Sequence, residues 1–408
     1  MKCSNKTRVF LFFFLGFCLS GFSQKEYTEK LTDQDIIKII ENCRPSIYEK
    51  IHCNIRNRLG VTHMDGQYYF TNEPFIIEGS KKIQELGYRI LKLWFKKYDG
   101  NAYGYEYNSD WQLSKLMSLK ELAQHKYYKA VFELPFKVFV LNINEGYVCS
   151  SREEQILNLN QIKNEMYELT KYLLDKYKDR EVTFILSMWE GDWTMRGGTN
   201  PSAKWKENGV PSDARIRVEN MIDWVNARQS GVDSARYEIR DSKCKVYHAI
   251  EVNKVYDGME GIPTLTTSVL PNVRVDMVSW SAYDGKSKDG IKMYRGIDFI
   301  KQNLHPSDYM EGKKVVFIGE IGEPENINNQ TRESIHQFWD TMMGVYLAQD
   351  IPYIVIWELY CNEPKYGPRS QDKKKGADEL RGFWLIRPDG SKGWAQEYFE
   401  EILARSNQ

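Results

Sequence analysis

The sequence predicts an α/β fold of the (β/α)8 TIM-barrel type, and two observations lead to that prediction. Eight short runs rich in β-forming residues alternate with helical stretches, which is typical of a parallel sheet with crossover helices. The longest connections, 95–115, 191–212 and 359–391, follow strands 2, 4 and 8, at the strand ends where barrel sites form. Eight units in series favour closure into a barrel over an open, doubly wound sheet, and no Gly-rich nucleotide-binding motif follows any of these strands.

The predicted elements follow one another in regular order. The strands are expected at 59–64, 88–94, 137–143, 181–190, 245–253, 275–283, 313–320 and 352–358. The helices are expected near 78–86, 116–126, 152–178, 213–229, 291–304, 331–349 and 392–404.

The helix at 152–178 carries the clearest pattern. Apolar residues recur at steps of three and four and predict one buried stripe, formed by Ile156, Leu159, Ile162, Met166, Leu169 and Leu173. Ser151 and Glu154 predict a capping box at its start. The segment after strand 5, near 261–272, is expected to be irregular.

The N-terminal residues predict export to the periplasm or the cell exterior. A basic start, an apolar run at 9–19 and small residues up to Ser23 are typical of a signal peptide, which we place at 1–23. A lipid-anchored form through Cys18 is a second possibility. Residues 24–57 are expected to form a lead-in segment and 58–408 a single barrel domain. No later stretch is apolar for long enough to cross a bilayer.

Composition excludes several classes of partner. The formal net charge is zero and no basic block occurs, so neither nucleic acid nor an anionic membrane surface is expected as a partner. The six histidines form no HxH or HExxH motif, and we expect neither a metal nor a cofactor. The cysteines are widely spaced; one bridge such as Cys43–Cys53 is compatible with export, but no disulfide framework is indicated. We expect a monomer.

Two glutamates stand at the ends of predicted strands. Residues two apart share a face of a strand, so Phe184, Leu186 and Met188 lead to Glu190, as Val316 and Ile318 lead to Glu320. If these faces point inward, the two carboxyl groups meet at the mouth of the barrel. Tyr283 of strand 6 and Trp357 of strand 8 are expected at the same rim. A protonated carboxyl group beside an ionised one suits glycosidic bond cleavage.

Four segments resemble the clan A glycoside hydrolases, the cellulase- and mannanase-like (β/α)8 barrels. The segments are LSMWEGDW (186–193), SWSAYDG (279–285), VVFIGEIG (315–322) and VIWE (355–358). They indicate the clan and no single family within it. The resemblance implies Glu190 as acid/base and Glu320 as nucleophile. It also implies a retaining, cofactor-free hydrolase that acts on β-linked oligo- or polysaccharides.

Two departures from the clan pattern leave alternatives open. Trp189 stands where the clan has Asn, a role that Asn253 could partly fill, and Lys92 stands near the place of a supporting Arg. Trp189, Trp193 and His63 are further candidates for sugar contact. Asp192 is an alternative proton donor to Glu190, and Glu251 is a possible third carboxylate. The alternative function is a glycan-binding barrel without catalysis.

Overall fold

The computed structural model describes residues 31–51, 54–97, 104–114, 116–369 and 374–406. The expected signal peptide, with Cys18, lies outside these residues, and so does Cys53; those interpretations stay predictions. Within the described ranges, no helix combines the length and the apolar character needed to span a membrane.

Eight parallel strands close into a barrel in chain order, with β8 pairing back to β1. The strands are β1 Leu59–His63, β2 Ile90–Trp94, β3 Val138–Asn142, β4 Thr183–Ser187, β5 Lys245–Val252, β6 Met277–Ser281, β7 Val315–Ile321 and β8 Ile354–Ile356. Each strand lies within its predicted range, except that β7 continues one residue further. The predicted (β/α)8 fold is therefore confirmed.

Helices surround the barrel. They are α1 Asp33–Glu41, α2 Phe75–Glu85, α3 Leu119–Gln124, α4 Lys126–Phe132, α5 Arg152–Lys176, α6 Gly191–Arg196, α7 Trp205–Asn208, α8 Ala214–Glu238, α9 Val255–Met259, α10 Ile291–Asn303, α11 Arg332–Ala348 and α12 Trp394–Arg405. The helix expected at 116–126 is divided at His125, and α8 extends nine residues beyond its predicted end. The segment after β5 contains only short helical turns, as expected.

Helix α5 begins with the Ser151 half of the predicted capping box, and its buried stripe is shorter than predicted. The Ser151 hydroxyl accepts the N–H of Glu154 at 3.2 Å, which caps the first turn. Ile156 is 51% exposed, whereas the stripe from Ile162 to Leu173 is buried. The apolar stripe of α5 is therefore buried from Ile162 onward and not at Ile156.

The barrel interior is filled by one apolar layer, which we call the plug. It consists of Ile90, Val138, Val140, Ile185, Ala249, Met277, Phe317 and Val355. Because Ile185 points inward, Phe184 and its neighbours two residues apart point outward, where the Phe184 ring contacts that of Phe132 in α4.

The face predicted to point inward is therefore wrong for β4 and also for β7. In β7 the inward residue is Phe317, and Ile318 packs in the outer core between barrel and helices. Glu190 and Glu320 both follow outward-facing residues, so strict alternation would turn them away from the barrel axis.

The lead-in segment packs along the barrel. Ile36 and Ile40 of α1 are buried, and α1 contacts α10 and α11. Ile51 forms a parallel bridge with Ser406, directly after α12. The segment before β1 and the segment after α12 are thus joined on one side of the barrel.

Candidate active site

A cavity of about 750 Å³ opens at the C-terminal ends of the strands. The long connections after β2, β4 and β8 contribute to its wall, as the sequence predicts for this face of a barrel. It is lined by Met64, Trp94, Lys96, Asn142, Asn144, Trp189, Glu190, Thr199, Tyr283, Glu320, Trp357, Glu363, Arg369, Arg381 and Phe383.

Glu190 reaches this cavity through an unusual backbone conformation. Strand β4 ends at Ser187, and Glu190 precedes α6 with φ +35° and ψ +68°, in the left-handed region that non-glycine residues rarely adopt. Its N–H donates to Glu251 Oε1 at 3.0 Å, and its Oε1 accepts the Ser281 hydroxyl at 2.8 Å. The left-handed turn brings the carboxyl group into the mouth of the barrel.

Glu320 reaches the cavity through a shift of strand register. Trp280 pairs with Ile318, but the next residue, Ser281, pairs with Glu320 and passes over Gly319. A bulge of this kind re-aims the side chains that follow it. Ser281 therefore lies beside Glu320 and also donates to Glu190, so both carboxyl groups flank one position of β6.

Gly319 makes this arrangement sterically possible. A Cβ atom at this position would lie 1.8 Å from Ser279 Oγ and 2.5 Å from Glu251 Oε2. The backbone of β7 thus passes directly over side chains that stand inside the barrel.

A buried charge cluster lies between the plug and the two glutamates. Lys92 Nζ donates to Glu251 Oε2 and to the carbonyl of Gly319, each at 2.9 Å, and lies 3.4 Å from Glu320 Oε2. The Ser279 hydroxyl donates to the same Glu251 oxygen at 2.7 Å. Lys92 and Glu251 are both fully buried. The cluster therefore contains three carboxyl groups, those of Glu190, Glu251 and Glu320, and the ammonium group of Lys92.

Burial sets the protonation of this cluster. It raises the pKa of Glu190 to about 7, against a smaller lowering by the Ser281 hydrogen bond. Burial also raises the pKa of Glu320 well above its usual range; the Lys92 ammonium opposes this rise, and Glu190 and Glu251 add to it. Burial disfavours charge on Lys92, but Glu251 and Glu320 together raise its pKa. Burial thus favours the protonated form of both glutamates, and the charge of Glu190 adds to the rise in the pKa of Glu320.

Three further predicted residues, Tyr283, Trp357 and Trp189, line the cavity. Tyr283 extends from β6, and its ring meets that of Phe383 edge to face at 6.3 Å between centroids. Burial, followed by the charge of Glu320, raises the pKa of the Tyr283 phenol well above its usual value, so it stays protonated. Trp357 lies inside the rim and donates to Glu363 Oε1 at 3.3 Å. Glu358 does not line the cavity, and its carboxylate accepts the N–H of Asn362.

Trp189 also lines the cavity and is fixed by its neighbours. Its indole meets that of Trp94 edge to face at 6.0 Å between centroids. The backbone N–H of Trp189 donates to Asn144 Oδ1 at 3.0 Å, and the backbone carbonyl of Trp189 accepts from Asn144 Nδ2 and from Thr194 Oγ1. The residue in place of the clan's Asn therefore supplies an aromatic wall.

The other four candidates do not line the cavity. His63 is buried against α2 and donates to the Phe75 carbonyl at 2.7 Å, and burial lowers its pKa to about 4. Trp193 lies under the Lys254 ammonium, at 4.1 Å from the ring centroid. Lys92 is sealed below the carboxyl groups, and Asn253 is buried. We therefore do not assign sugar contact to His63, Trp193, Lys92 or Asn253, because none of them lines the cavity.

Asn253 and Asp192 hold the turn that carries Glu190. Asn253 Oδ1 accepts the Asp192 N–H at 3.0 Å, and Asp192 Oδ2 accepts the N–H groups of Asn253 and Lys254. Asp192 Oδ1 accepts the Leu265 N–H at 2.7 Å. Both Asp192 oxygens are thus occupied by backbone donors, which argues against Asp192 as the proton donor.

Sequence reasoning missed the asparagines of strand 3. Asn142 is 3% exposed and lines the cavity, and neither its amide nitrogen nor its amide oxygen has a partner among the described residues. Asn144, two residues further, fixes Trp189. The signal was present, since Asn142 and Asn144 continue the inward face of Val138 and Val140 beyond the strand end.

The loop after β8 completes the rim with ion pairs. Arg381 pairs with Glu363, and Arg369 donates to Asp65 Oδ2 at 3.0 Å. The arginines of the wall thus stand against carboxylates of the same protein.

Solved structures share this architecture. No protein-family model matches the sequence, and no curated protein matches it. A GH5_18 variant from Streptomyces cattleya, solved with Manβ1-4GlcNAc, has a TM-score of 0.54 at 10% identity, over 85% of this chain and 80% of that chain. GH5_18 from Bifidobacterium longum subsp. longum has a TM-score of 0.50 at 13% identity, over 86% and 79%. The likeness to clan A barrels that the sequence motifs indicate is confirmed at the level of the fold.

Proposed function

We propose that this protein is an exported glycoside hydrolase that cleaves β-linked glycans with retention of configuration. Glu190 is the acid/base and Glu320 the nucleophile. Residues 58–408 form its catalytic domain, and an oligo- or polysaccharide is the substrate. The likeness in fold to GH5 glycosidases supports the reaction class.

One observation carries the proposal. Two carboxyl groups from different strands line a single cavity and flank the same residue of β6, Ser281, which pairs in register with Glu320 and donates to Glu190. Retaining hydrolysis needs carboxyl groups about 5–5.5 Å apart, close enough for both to act on one sugar carbon. Placement on either side of one strand position favours this shorter spacing.

The environment of Glu190 fits its role. A pKa of about 7 allows Glu190 to give a proton near neutrality and take it back in the second step. Burial raises the pKa of Glu320, and Lys92, 3.4 Å away, opposes that rise and favours the ionised form that attacks the anomeric carbon. The glycosyl–Glu320 ester then forms as Glu190 protonates the departing oxygen, and water activated by Glu190 cleaves the ester.

The cavity wall suits a neutral sugar. Trp94, Trp189, Trp357 and Phe383 offer flat apolar surfaces for the C–H faces of pyranose rings. Arg381 and Arg369 of the rim form ion pairs with Glu363 and Asp65. These arginines therefore do not require an acidic substrate as a counter-charge.

Glu320→Gln tests the assignment. The purified protein is assayed on 2,4-dinitrophenyl β-glycosides, including the glucoside, mannoside and cellobioside, and on plant and microbial polysaccharides. The amide is almost isosteric but a far poorer nucleophile, so we expect turnover to fall by more than about 10³-fold with an unchanged fold by circular dichroism. Proton NMR of the first product should show retained anomeric configuration.

A matched control is Glu78→Gln. Glu78 is a buried carboxylate of α2 outside the cavity, and we expect this variant to keep its activity. Equal activity of Glu320→Gln and the wild type would refute the assignment. Oligosaccharide binding by calorimetry, without release of reducing sugar, would instead favour the glycan-binding alternative that Trp189 suggests.

A further inference from the structure

Glu251 is a fully buried carboxylate at the centre of the charge cluster, and glycosidic cleavage does not itself require a third carboxylate. It stands on the inward face of β5, in register with Ser279 of β6. Each of its oxygens is engaged. Oε1 accepts the N–H of Glu190, and Oε2 accepts Ser279 Oγ and Lys92 Nζ.

The contact with Glu190 is made to the backbone. A non-glycine residue in the left-handed region is strained and persists where its surroundings hold it. The Glu251 hydrogen bond is aimed at the N–H of that residue, and a bond from an N–H to an ionised carboxylate is about twice as strong as a neutral one. Glu251 therefore fixes the turn that aims the Glu190 side chain.

Glu251 and Glu320 both lie close to the single positive charge of Lys92. Lys92 Nζ lies 2.9 Å from Glu251 and 3.4 Å from Glu320, so the negative charge of Glu251 offsets part of the positive potential that Lys92 produces at Glu320. Without that competitor, the ammonium would act on Glu320 alone. Glu251 thus weakens the stabilisation of ionised Glu320, the proposed nucleophile. The pKa of Glu320 is therefore higher than Lys92 alone would make it.

We propose that Glu251 is a positioning residue of the hydrolase: it fixes the backbone of Glu190 and, by sharing Lys92 with Glu320, sets the pH range in which the pair works. This inference rests on the proposed function. The charged and titratable groups that surround the cluster are Lys92 of β2, Glu190 after β4, Lys254 after β5, Tyr283 after β6 and Glu320 of β7.

Glu251→Gln removes the charge and keeps an acceptor oxygen. The loss of a neighbouring anion lowers the pKa of both Glu190 and Glu320, and Lys92 then acts on Glu320 alone. We expect both limbs of the pH profile of kcat/KM on the most active dinitrophenyl glycoside to move to lower pH by about 1 unit, with activity at pH 7 reduced about tenfold. A residue with a merely structural role would lower activity without moving the limbs.

Glu78→Gln is again the matched control. Glu78 also accepts three hydrogen bonds, from the N–H groups of Phe70 and Thr71 and from the Thr71 hydroxyl, but none from a residue of the cluster. Its pH profile should coincide with that of the wild type. If Glu251→Gln does not fold, Glu251→Asp retains the charge at a shorter reach, and we expect it to keep the limbs in place while kcat falls.

The outcomes separate this inference from the proposed function. A wild type that cleaves its substrate, with Glu251→Gln limbs at their original pH, overturns the role of Glu251 alone. Limbs displaced by Glu251→Asp as far as by Glu251→Gln also overturn it, since charge would then not be the cause. A wild type without turnover on every glycan probe refutes the hydrolase and this role together.

Discussion

The two asparagines of strand 3 illustrate how neighbouring side chains of one type divide their work. The Asn144 amide forms hydrogen bonds with Trp189 and Thr194, whereas the Asn142 amide has no hydrogen-bond partner within the described ranges. A buried amide without a partner costs about 1–3 kcal/mol, so its presence at a cavity points to use by a ligand.

This division predicts opposite effects of two matched substitutions. Asn142→Ala leaves no protein group without its partner, so we expect Tm within about 2 °C of the wild type and kcat/KM about tenfold to a hundredfold lower. Asn144→Ala frees the backbone of Trp189 and should lower Tm by several degrees. Differential scanning calorimetry and glycoside kinetics measure both; unchanged kinetics in Asn142→Ala would contradict a contact with substrate.

At the scale of elements, the chain order of strands and helices follows from the sequence, but the direction of the two proposed catalytic side chains does not. The inward phase of β6, with Ser281 and Tyr283, follows from simple alternation. Glu190 and Glu320 were expected in the cavity for the wrong reason, because the apolar residues before them face the helices. The left-handed backbone at Glu190 and the register shift before Glu320 each turn the glutamate side chain from the outward to the inward side of the barrel.

Neither the left-handed turn at Glu190 nor the register shift before Glu320 can be predicted from the local sequence. Bulges depend on what the partner strand presents, here Ser281 opposite Glu320, and that information is not local in the chain. Gly319 is the nearest hint, since a glycine within a strand often marks a bulge or a close approach. Its neighbours inside the barrel, Ser279 and Glu251, become visible only in three dimensions.

Gly319→Ala tests this element directly. The new methyl group would overlap Ser279 and Glu251, so we expect a loss of at least about 2 kcal/mol in unfolding free energy and a large loss of activity. Gly261→Ala provides the comparison: that glycine has φ +87° with no atom within 4 Å of an added Cβ, and only backbone strain of about 1 kcal/mol is expected. Urea unfolding measures both; equal losses would show that crowding inside the barrel is not the cause.

At the scale of the whole molecule, the lead-in segment belongs to the barrel's support. Ile40 is fully buried where α1 meets α11, and its carbonyl lies 2.8 Å from where a Cβ on Gly344 would stand. The sequence predicts this segment as partly helical but gives no sign of its docking surface, because one short amphipathic helix fits many apolar faces.

Ile40→Ala measures that support. Loss of a buried isoleucine should cost about 2–5 kcal/mol, whereas Ile47→Ala, at a position that is 56% exposed, should change stability by less than about 0.5 kcal/mol. Thermal unfolding followed by circular dichroism compares them. A cost for Ile40→Ala no larger than for Ile47→Ala would mean that α1 docks loosely.

The plug has a consequence for how protons travel. Its eight apolar side chains, Ile90 and Phe317 among them, close the barrel beneath Lys92, so the mouth is the route by which water exchanges with the charged layer. On the proposed function, a sugar bound in that mouth covers the carboxyl groups and closes this route to bulk water. The proton of Glu190 then passes to the departing oxygen rather than to solvent. The hydrolytic water enters after the first fragment has left, so the two halves of the proposed reaction follow one another in order.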